Sequence, residues 1–306
     1  MAKSNSLPLR KKLERKIGGV TLRGVAVIVR AMPERFADSF GRGLGRLIFR
    51  GSRKYRERCL ANLRMAFPDW SDERVRKTAV AVFEHFARTA VRFFRVDRLT
   101  DQQIVDSVKF EGLGHVISAM DKGKGALIIT AHFGDWERMA QAFTLLGYKI
   151  SVVARDANEE RTTEMINAIR NRHGIEVFSR GKAAREILKR LARNEVVGIL
   201  TDQNTREILV PFFGIPAGTN EAPAAIHLRT GSPLITAFCE ETVPSEYRVT
   251  VEPLDMPVPS GDKDADVLAI MTAINERIES AIRRRPEQWL WMHDRWRWAR
   301  ELGIIE

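Results

Sequence analysis

Behind Gly125 the residues Ala126 to Thr130 read ALIIT, a continuous apolar run too short for a buried helix and of the form taken by a strand covered on both faces. The pattern around it repeats. A helical period follows from Trp136 to Leu146, then a strand from Tyr148 to Ala154, a helix from Glu159 to Arg172, a strand from Ile175 to Phe178 and a helix from Lys182 to Arg193. Val196 to Thr201 (VVGILT) is a further buried strand, and the Gly- and Pro-bearing stretch Pro211 to Thr219 reads as a loop. A helix around Ala222 to Thr230, strands near Leu234 to Phe238 and Tyr247 to Val251, and a helix from Asp266 to Arg284 complete the series. Strands that alternate with helices predict an α/β fold with a mostly parallel central sheet flanked by helices. No internal repeat or low-complexity tract interrupts it.

Upstream lies a different kind of sequence. Residues 1–58 hold 16 Lys and Arg against four acids, a net +12, whereas the remaining residues sum to −1. We therefore divide the chain into a basic amphipathic helical segment, 1–58, and an α/β domain, 59–306. A cationic arm on a near-neutral body is drawn to an anionic surface, either phospholipid headgroups or nucleic-acid phosphate, and charge alone does not choose between them. Ile17 to Met32 is apolar but broken by Arg23 and Arg30, so it predicts a helix lying in a headgroup layer rather than crossing it, or one packed on the body. It lacks the uninterrupted apolar core and small-residue cleavage site of a secretory signal. Between arm and sheet, Ser71 to Arg95 predicts a helix with Ser71 as its N-cap and Asp72 and Glu73 in its first turn. At 44% apolar and 29% charged the composition fits neither a disordered chain nor a polytopic membrane protein. Cys59 and Cys239, alone and without metal-ligand spacing, argue against a disulfide framework or structural zinc and for a reducing compartment.

Directly after the ALIIT strand come Ala131-His132-Phe133-Gly134-Asp135-Trp136-Glu137. On one continuous helix the five-residue offset between His132 and Glu137 would set them about 140° apart. If His132 ends the strand, Gly134 makes the turn and Glu137 opens the next helix, both side chains can face one cleft. A carboxylate that accepts from one imidazole nitrogen fixes the tautomer and leaves the other nitrogen as a general base. No Gly-x-Ser-x-Gly elbow or cysteine motif supplies a protein nucleophile, which leaves direct attack by a substrate hydroxyl on an acyl donor. A metal site would need a second histidine at ligand spacing, and none is present, so no metal or cofactor is expected. The plain alternative is that His132 is a satisfied strand-end histidine and Glu137 a first-turn acid.

Several motifs together resemble one family, the late acyltransferases of lipid A biosynthesis, within the larger lysophospholipid acyltransferase superfamily. They are Asn62-Leu63 with Ala66-Phe67-Pro68, the block from His132 to Glu137, Thr201-Asp202-Gln203, Val210-Pro211-Phe212-Phe213-Gly214 with Pro216, Ala217 and Thr219, and Pro286 to His293. The resemblance runs in order from residue 59 to about 298. It implies transfer of a fatty-acyl chain from acyl carrier protein to a hydroxyl of a lipid A precursor, an acylated and phosphorylated glucosamine disaccharide, at the cytoplasmic face of the inner membrane. His132 and Glu137 match the family's catalytic pair. Asp135 departs from it, standing where Asn is more usual.

Other positions are candidates for the substrate site. Arg155 and Asn158, after a strand, can hold a phosphate or position the thioester carbonyl, or else form a solvated loop. Asp202 and Gln203, ending another strand, can share the cleft with His132 or cap a turn. Phe212, Phe213, Gly214 and Thr219 can line the mouth of an acyl groove or belong to the core. Trp289, Trp291, Trp296 and Trp298 alternate with arginines, as in an interfacial belt or a helix-to-sheet packing layer. The same interleaving suits single-stranded nucleic acid, but no nucleic-acid module accompanies it, so no nucleic-acid partner is expected. Two other functions stay open: acylation of another membrane lipid, such as a lysophospholipid, glycolipid or phosphatidylinositol mannoside, or a non-catalytic basic membrane-binding protein.

Overall fold

The computed structural model describes residues 9–154, 160–179 and 183–305. Its N-terminal part is helical: α1 (Leu9–Ala31), α2 (Glu34–Gly51), α3 (Arg53–Ala66) and α4 (Asp72–Arg95). Pro33, which cannot donate to a continuing helix, separates α1 from α2. The Ser71 hydroxyl caps α4 by accepting from the Arg74 backbone N–H, with Asp72 and Glu73 in the first turn as expected. A 3₁₀ turn (Val96–Arg98) and α5 (Asp101–Asp106) lead into the alternating region. There β1 (Val108–Glu111), α6 (Gly114–Met120), β2 (Ala126–Thr130), α7 (Trp136–Leu145), β3 (Ile150–Ala154), α8 (Glu160–Arg172), β4 (Glu176–Ser179), α9 (Ala183–Leu191) and β5 (Val196–Leu200) follow in turn. The last third contains β6 (Ile208–Phe212), β7 (Ile215–Thr219), α10 (Ala222–Thr230), β8 (Leu234–Val243), β9 (Glu246–Pro253), α11 (Lys263–Arg284) and α12 (Arg297–Glu301).

Seven strands form one sheet in the order β1-β9-β8-β2-β5-β3-β4. The five from β8 to β4 run parallel, and β9, antiparallel to β8, reverses the edge that β1 then follows. This is the α/β architecture with a mostly parallel sheet. β2, buried along its whole length, shows why its sequence is apolar without alternation. Leu127 and Ile129 enter the core built with α4, α10, α11 and the C-terminal tryptophans, while Ala126 and Ile128 enter the core on the α7 side.

The stretch Pro211 to Thr219 is a hairpin rather than a loop. β6 and β7 pair antiparallel around Phe213-Gly214, both at positive φ (53° and 74°), the geometry of a two-residue primed turn. Pro211 and Pro216 pair with each other on this isolated ribbon, where proline removes no bond needed by a larger sheet. Packing overrides the local composition. Phe213 tolerates the left-handed region because its ring is buried against Phe67, Phe212 and Trp291 and its N–H donates to Glu279.

From Leu22 onward the described helices of the basic segment pack on the rest of the chain. The division at residue 58 falls inside α3, and Ala26, Val29 and Ala37 are buried against α4 and its neighbours. A charge network ties α2 to α4 and the sheet: Asp38 accepts from Arg42, Arg88 and Arg92, and Glu241 on β8 accepts from Arg88 and Arg92 and faces His85. Burial alone would raise both carboxyls, but these partners bring Asp38 and Glu241 down to about 2. Opposite the packed faces, Val27, Ile28, Leu47 and Ile48 are exposed. Among the described residues no helix is long and apolar enough to cross a membrane.

Candidate active site

In a parallel sheet the loops that leave the carboxyl ends of adjacent strands share a crevice. β2 and β5 are neighbours, and Thr130 pairs with Leu200. His132 and Asp202, each two residues further on, therefore emerge side by side despite their distance in sequence. His132 Nδ1 lies 2.9 Å from Asp202 Oδ1, and the His132 backbone N–H donates to Oδ2 at 2.9 Å. Trp289 Nε1 adds a third donor to Oδ2 at 2.9 Å. Asp202 is fully buried, which by itself would raise its pKa, yet His132 and Trp289 hold the carboxyl at about 2. An ionised Asp202 accepts only, so the proton of neutral His132 sits on Nδ1 and Nε2 is left as the basic nitrogen. Among the described residues Nε2 has one hydrogen-bond contact, a long one of 3.4 Å to the Gln203 amide nitrogen.

The turn after His132 depends on Gly134. Its φ is +60°, and a Cβ there would sit 1.6 Å from the Cys239 carbonyl oxygen. The loop is pinned by Gly134 N–H to Gln288 O, Asp135 N–H to Cys239 O and His85 Nε2 to Gly134 O. Asp135 is the buried N-cap of α7, accepting from the Arg138 N–H. Its carboxyl is neither solvent-facing nor against His132, and burial pushes its pKa up.

Glu137 opens α7 and lines the same cavity as His132, as its place in the first helical turn predicts. The hydrogen bond expected between the two is not formed. Glu137 instead receives both guanidinium branches of Arg170 on α8, with Nε to Oε2 at 3.0 Å, and the Trp136 Nε1–H at 3.2 Å. A bidentate Arg pair outcompetes a single imidazole for a carboxylate, and Asp202 has already taken Nδ1. The carboxylate that holds the His132 ring is thus Asp202.

The cavity has a volume of about 450 Å³, within the usual range of ligand pockets. Its floor is made by alternate residues of adjacent strands, Ile128 and Thr130 on β2, Val196, Gly198 and Leu200 on β5, and Ile150 and Val152 on β3. Met139 and Phe143 of α7 and Ile166 of α8 close it. Polar groups gather at the carboxyl ends of the strands: His132, Glu137, Arg170, Gln203 and His293. Thr130, Thr163 and Asn167 add polar groups to a lining whose remaining side chains are mostly apolar.

Of the other sequence candidates, Gln203 lines this cavity and Asp202 stands behind His132. Phe213, Gly214 and Thr219 do not line it. Phe213 is core, and Thr219, wholly buried, accepts from the Arg295 guanidinium. Trp289, Trp291 and Trp296 are fully buried in the core and Trp298 is half-buried, so these residues do not form an exposed belt. Arg155 and Asn158 lie outside the described residues. Sequence reasoning missed the role of Arg170, which sits in no motif, and that of His293, visible only as the end of the Pro286-to-His293 phrase.

The sequence pattern of the family described as bacterial lipid A biosynthesis acyltransferase matches residues 14–298. A phosphatidylinositol mannoside acyltransferase of Mycolicibacterium smegmatis is 28% identical over 91% of this chain and 92% of its own. A lipid A biosynthesis lauroyltransferase of Escherichia coli is 22% identical over 90% and 89% of the two chains, and a palmitoleoyltransferase of the same pathway and organism is 24% identical over 77% and 76%.

Proposed function

The chain belongs to the bacterial lipid A biosynthesis acyltransferase family, and from that premise we propose that it transfers a fatty-acyl chain from acyl carrier protein to a hydroxyl of a lipid A precursor. The observation that carries the proposal is a largely apolar-lined cavity that holds an imidazole whose Nδ1 is fixed by Asp202 and whose Nε2 has only the long Gln203 contact. The acyl chain lies along the strands, over about 13 Å from Leu200 to Val196. Its thioester carbonyl waits beside His132. Nε2 takes the proton of the acceptor hydroxyl as that oxygen bonds to the carbonyl carbon, the C–S bond breaks, and the imidazolium returns the proton to the thiolate. The +12 N-terminal segment rests on the anionic cytoplasmic face of the inner membrane, with Val27, Ile28, Leu47 and Ile48 in the headgroup layer.

Gly198 gives this reading its sharpest handle. A glycine in a central strand weakens it, and here the missing side chain leaves space in the cavity floor: a Cβ would meet the Val152 side chain at 3.4 Å and the Ser151 carbonyl oxygen at 3.9 Å, both ordinary contacts. Mass spectrometry of membrane lipids from cells lacking the protein, and regaining it, reads the acyl mass that vanishes and returns. Cells regaining Gly198→Met return a shorter chain on the same acceptor. An unchanged lipid profile on deletion would dismiss the proposal. The relative that acylates phosphatidylinositol mannosides supports a second reading, in which the acceptor is another phosphorylated glycolipid, and the same spectra name it.

Glu137 acts through charge. Replacing it with Ala strands the Arg170 cation, only 17% exposed, at the cavity where an imidazolium must form. Turnover of Glu137→Ala is expected to fall roughly tenfold to a hundredfold, because the uncompensated guanidinium opposes the imidazolium. Glu137→Ala with Arg170→Met recovers most of that loss in a radiolabelled transfer assay. If the double variant were no faster than the single one, Glu137 would have to act on His132 directly.

A further inference from the structure

His293 is the second imidazole of the cavity, and its surroundings fix its proton. The Asn204 backbone N–H donates to His293 Nε2 at 2.8 Å, so that nitrogen carries a lone pair and, in the neutral ring, Nδ1 carries the hydrogen. The ring is held in place by its backbone. Buried Asn62 donates through Nδ2 to the carbonyls of Trp291 and His293 at 2.9 and 2.7 Å, and the His293 N–H returns to Leu290 O at 3.0 Å. Among the described residues the ring's hydrogen bonding runs through Nε2, and Nδ1 donates to no protein acceptor. His293 lines the same cavity as His132 and Gln203.

A neutral imidazole at a cavity wall, with one nitrogen taken by a backbone donor, has its other N–H left to polarise a ligand oxygen. Resting on the acyl-transfer reading above, we propose that His293 Nδ1–H is a donor to the thioester carbonyl oxygen, binding the negative charge that gathers there in the transition state. As the acceptor oxygen bonds to the carbonyl carbon, the C=O π pair moves onto oxygen, where Nδ1–H meets it, and His132 Nε2 holds the hydroxyl proton. Collapse restores C=O, expels the thiolate and hands it that proton. Two histidines in one cavity thus divide the work: the ring whose Nδ1 faces a carboxylate serves as base, and the ring whose Nε2 faces a backbone donor serves as hydrogen-bond donor. Burial, followed by the charges of Arg295 and His132, outweighs Asp202 and holds the His293 imidazole down to about 4, which keeps the donor neutral throughout the working range.

Two substitutions separate donor from scaffold. His293→Gln places an amide oxygen where Nε2 accepts from Asn204 but has no N–H at the Nδ1 position; His293→Asn retains an N–H near Nδ1 and loses the Asn204 contact. With acyl donor and lipid acceptor saturating, kcat of His293→Gln is expected to fall about 10²- to 10³-fold, the usual cost of one oxyanion donor, with an unchanged acceptor KM and melting temperature. His293→Asn melts lower and keeps kcat within about tenfold of the parent. Undiminished kcat in His293→Gln, a defect confined to acceptor KM, or losses that follow melting temperature in both variants would overturn the assignment. Nitrogen-15 spectra of wild-type His293 test the tautomer regardless of how the variants fold: a protonated Nε2 at neutral pH refutes it. Wild-type protein that transfers no acyl group to any lipid hydroxyl would refute the functional reading instead, while the spectrum still decides the tautomer.

Discussion

His132→Ala is expected to slow acyl transfer by about 10³- to 10⁴-fold, toward the upper end of what a positioned general base contributes and similar to the loss of one member of a hydrolase triad. The fold should barely register the change. The imidazole stands at the cavity, 21% exposed, and its removal leaves Asp202 with two of its three donors, the His132 backbone N–H and Trp289 Nε1. Losing one hydrogen bond while its partner keeps two others costs about 1 kcal/mol. A thermal melt beside a radiolabelled transfer assay separates the two effects. Transfer that persists at the parental rate would return His132 to the role of a satisfied strand-end histidine.

Asp202→Asn is expected to be nearly as severe for a different reason. Oδ2 receives two donors, from the His132 backbone and Trp289, whereas Oδ1 receives only the ring N–H. An asparagine at this position turns its oxygen toward the two fixed donors, so its NH₂ faces His132 Nδ1. The ring must then accept at Nδ1 and carry its hydrogen on Nε2, the wrong tautomer for a base. A loss of about 10³- to 10⁴-fold in kcat follows, with the volume of the side chain unchanged. The variant also alters acid stability. The Asp202 carboxyl, ordinarily near 3.8, is held at about 2 in the folded chain, so its contribution is complete above pH about 4 and disappears as pH falls through about 2. Asp202→Asn lacks that part of the acid slope. Near-parental turnover would show that Asp202 is a structural cap and would redirect attention to Glu137.

Where local sequence and tertiary environment agree, the sequence was legible. The VVGILT and ALIIT runs predict buried strands because both faces of a central parallel strand are covered, and Ser71 announces α4 because a cap acts within one turn. Pro211 to Thr219 misleads for the opposite reason. Its glycines and prolines are those of a loop, but the aromatic cluster around Phe213 compels a primed turn and a hairpin. The expected His132–Glu137 hydrogen bond failed because nearness in sequence was taken for nearness in space. Arg170, 33 residues further along, claims Glu137, and the strand beside β2 delivers Asp202 to the imidazole.

The amino-acid order alone determined the alternation of strands and helices, the place of His132 at the end of a strand, the glycine turn that follows it and the cationic N-terminal segment. Each depends on interactions within a few residues or on simple composition. Only the tertiary structure decided which acid holds the His132 imidazole, that the N-terminal helices pack against the α/β body, and that a glycine in β5 opens the floor of the cavity. Those outcomes depend on strand order and on competition between distant side chains for the same hydrogen-bonding partners, and both arise only once the sheet has been assembled.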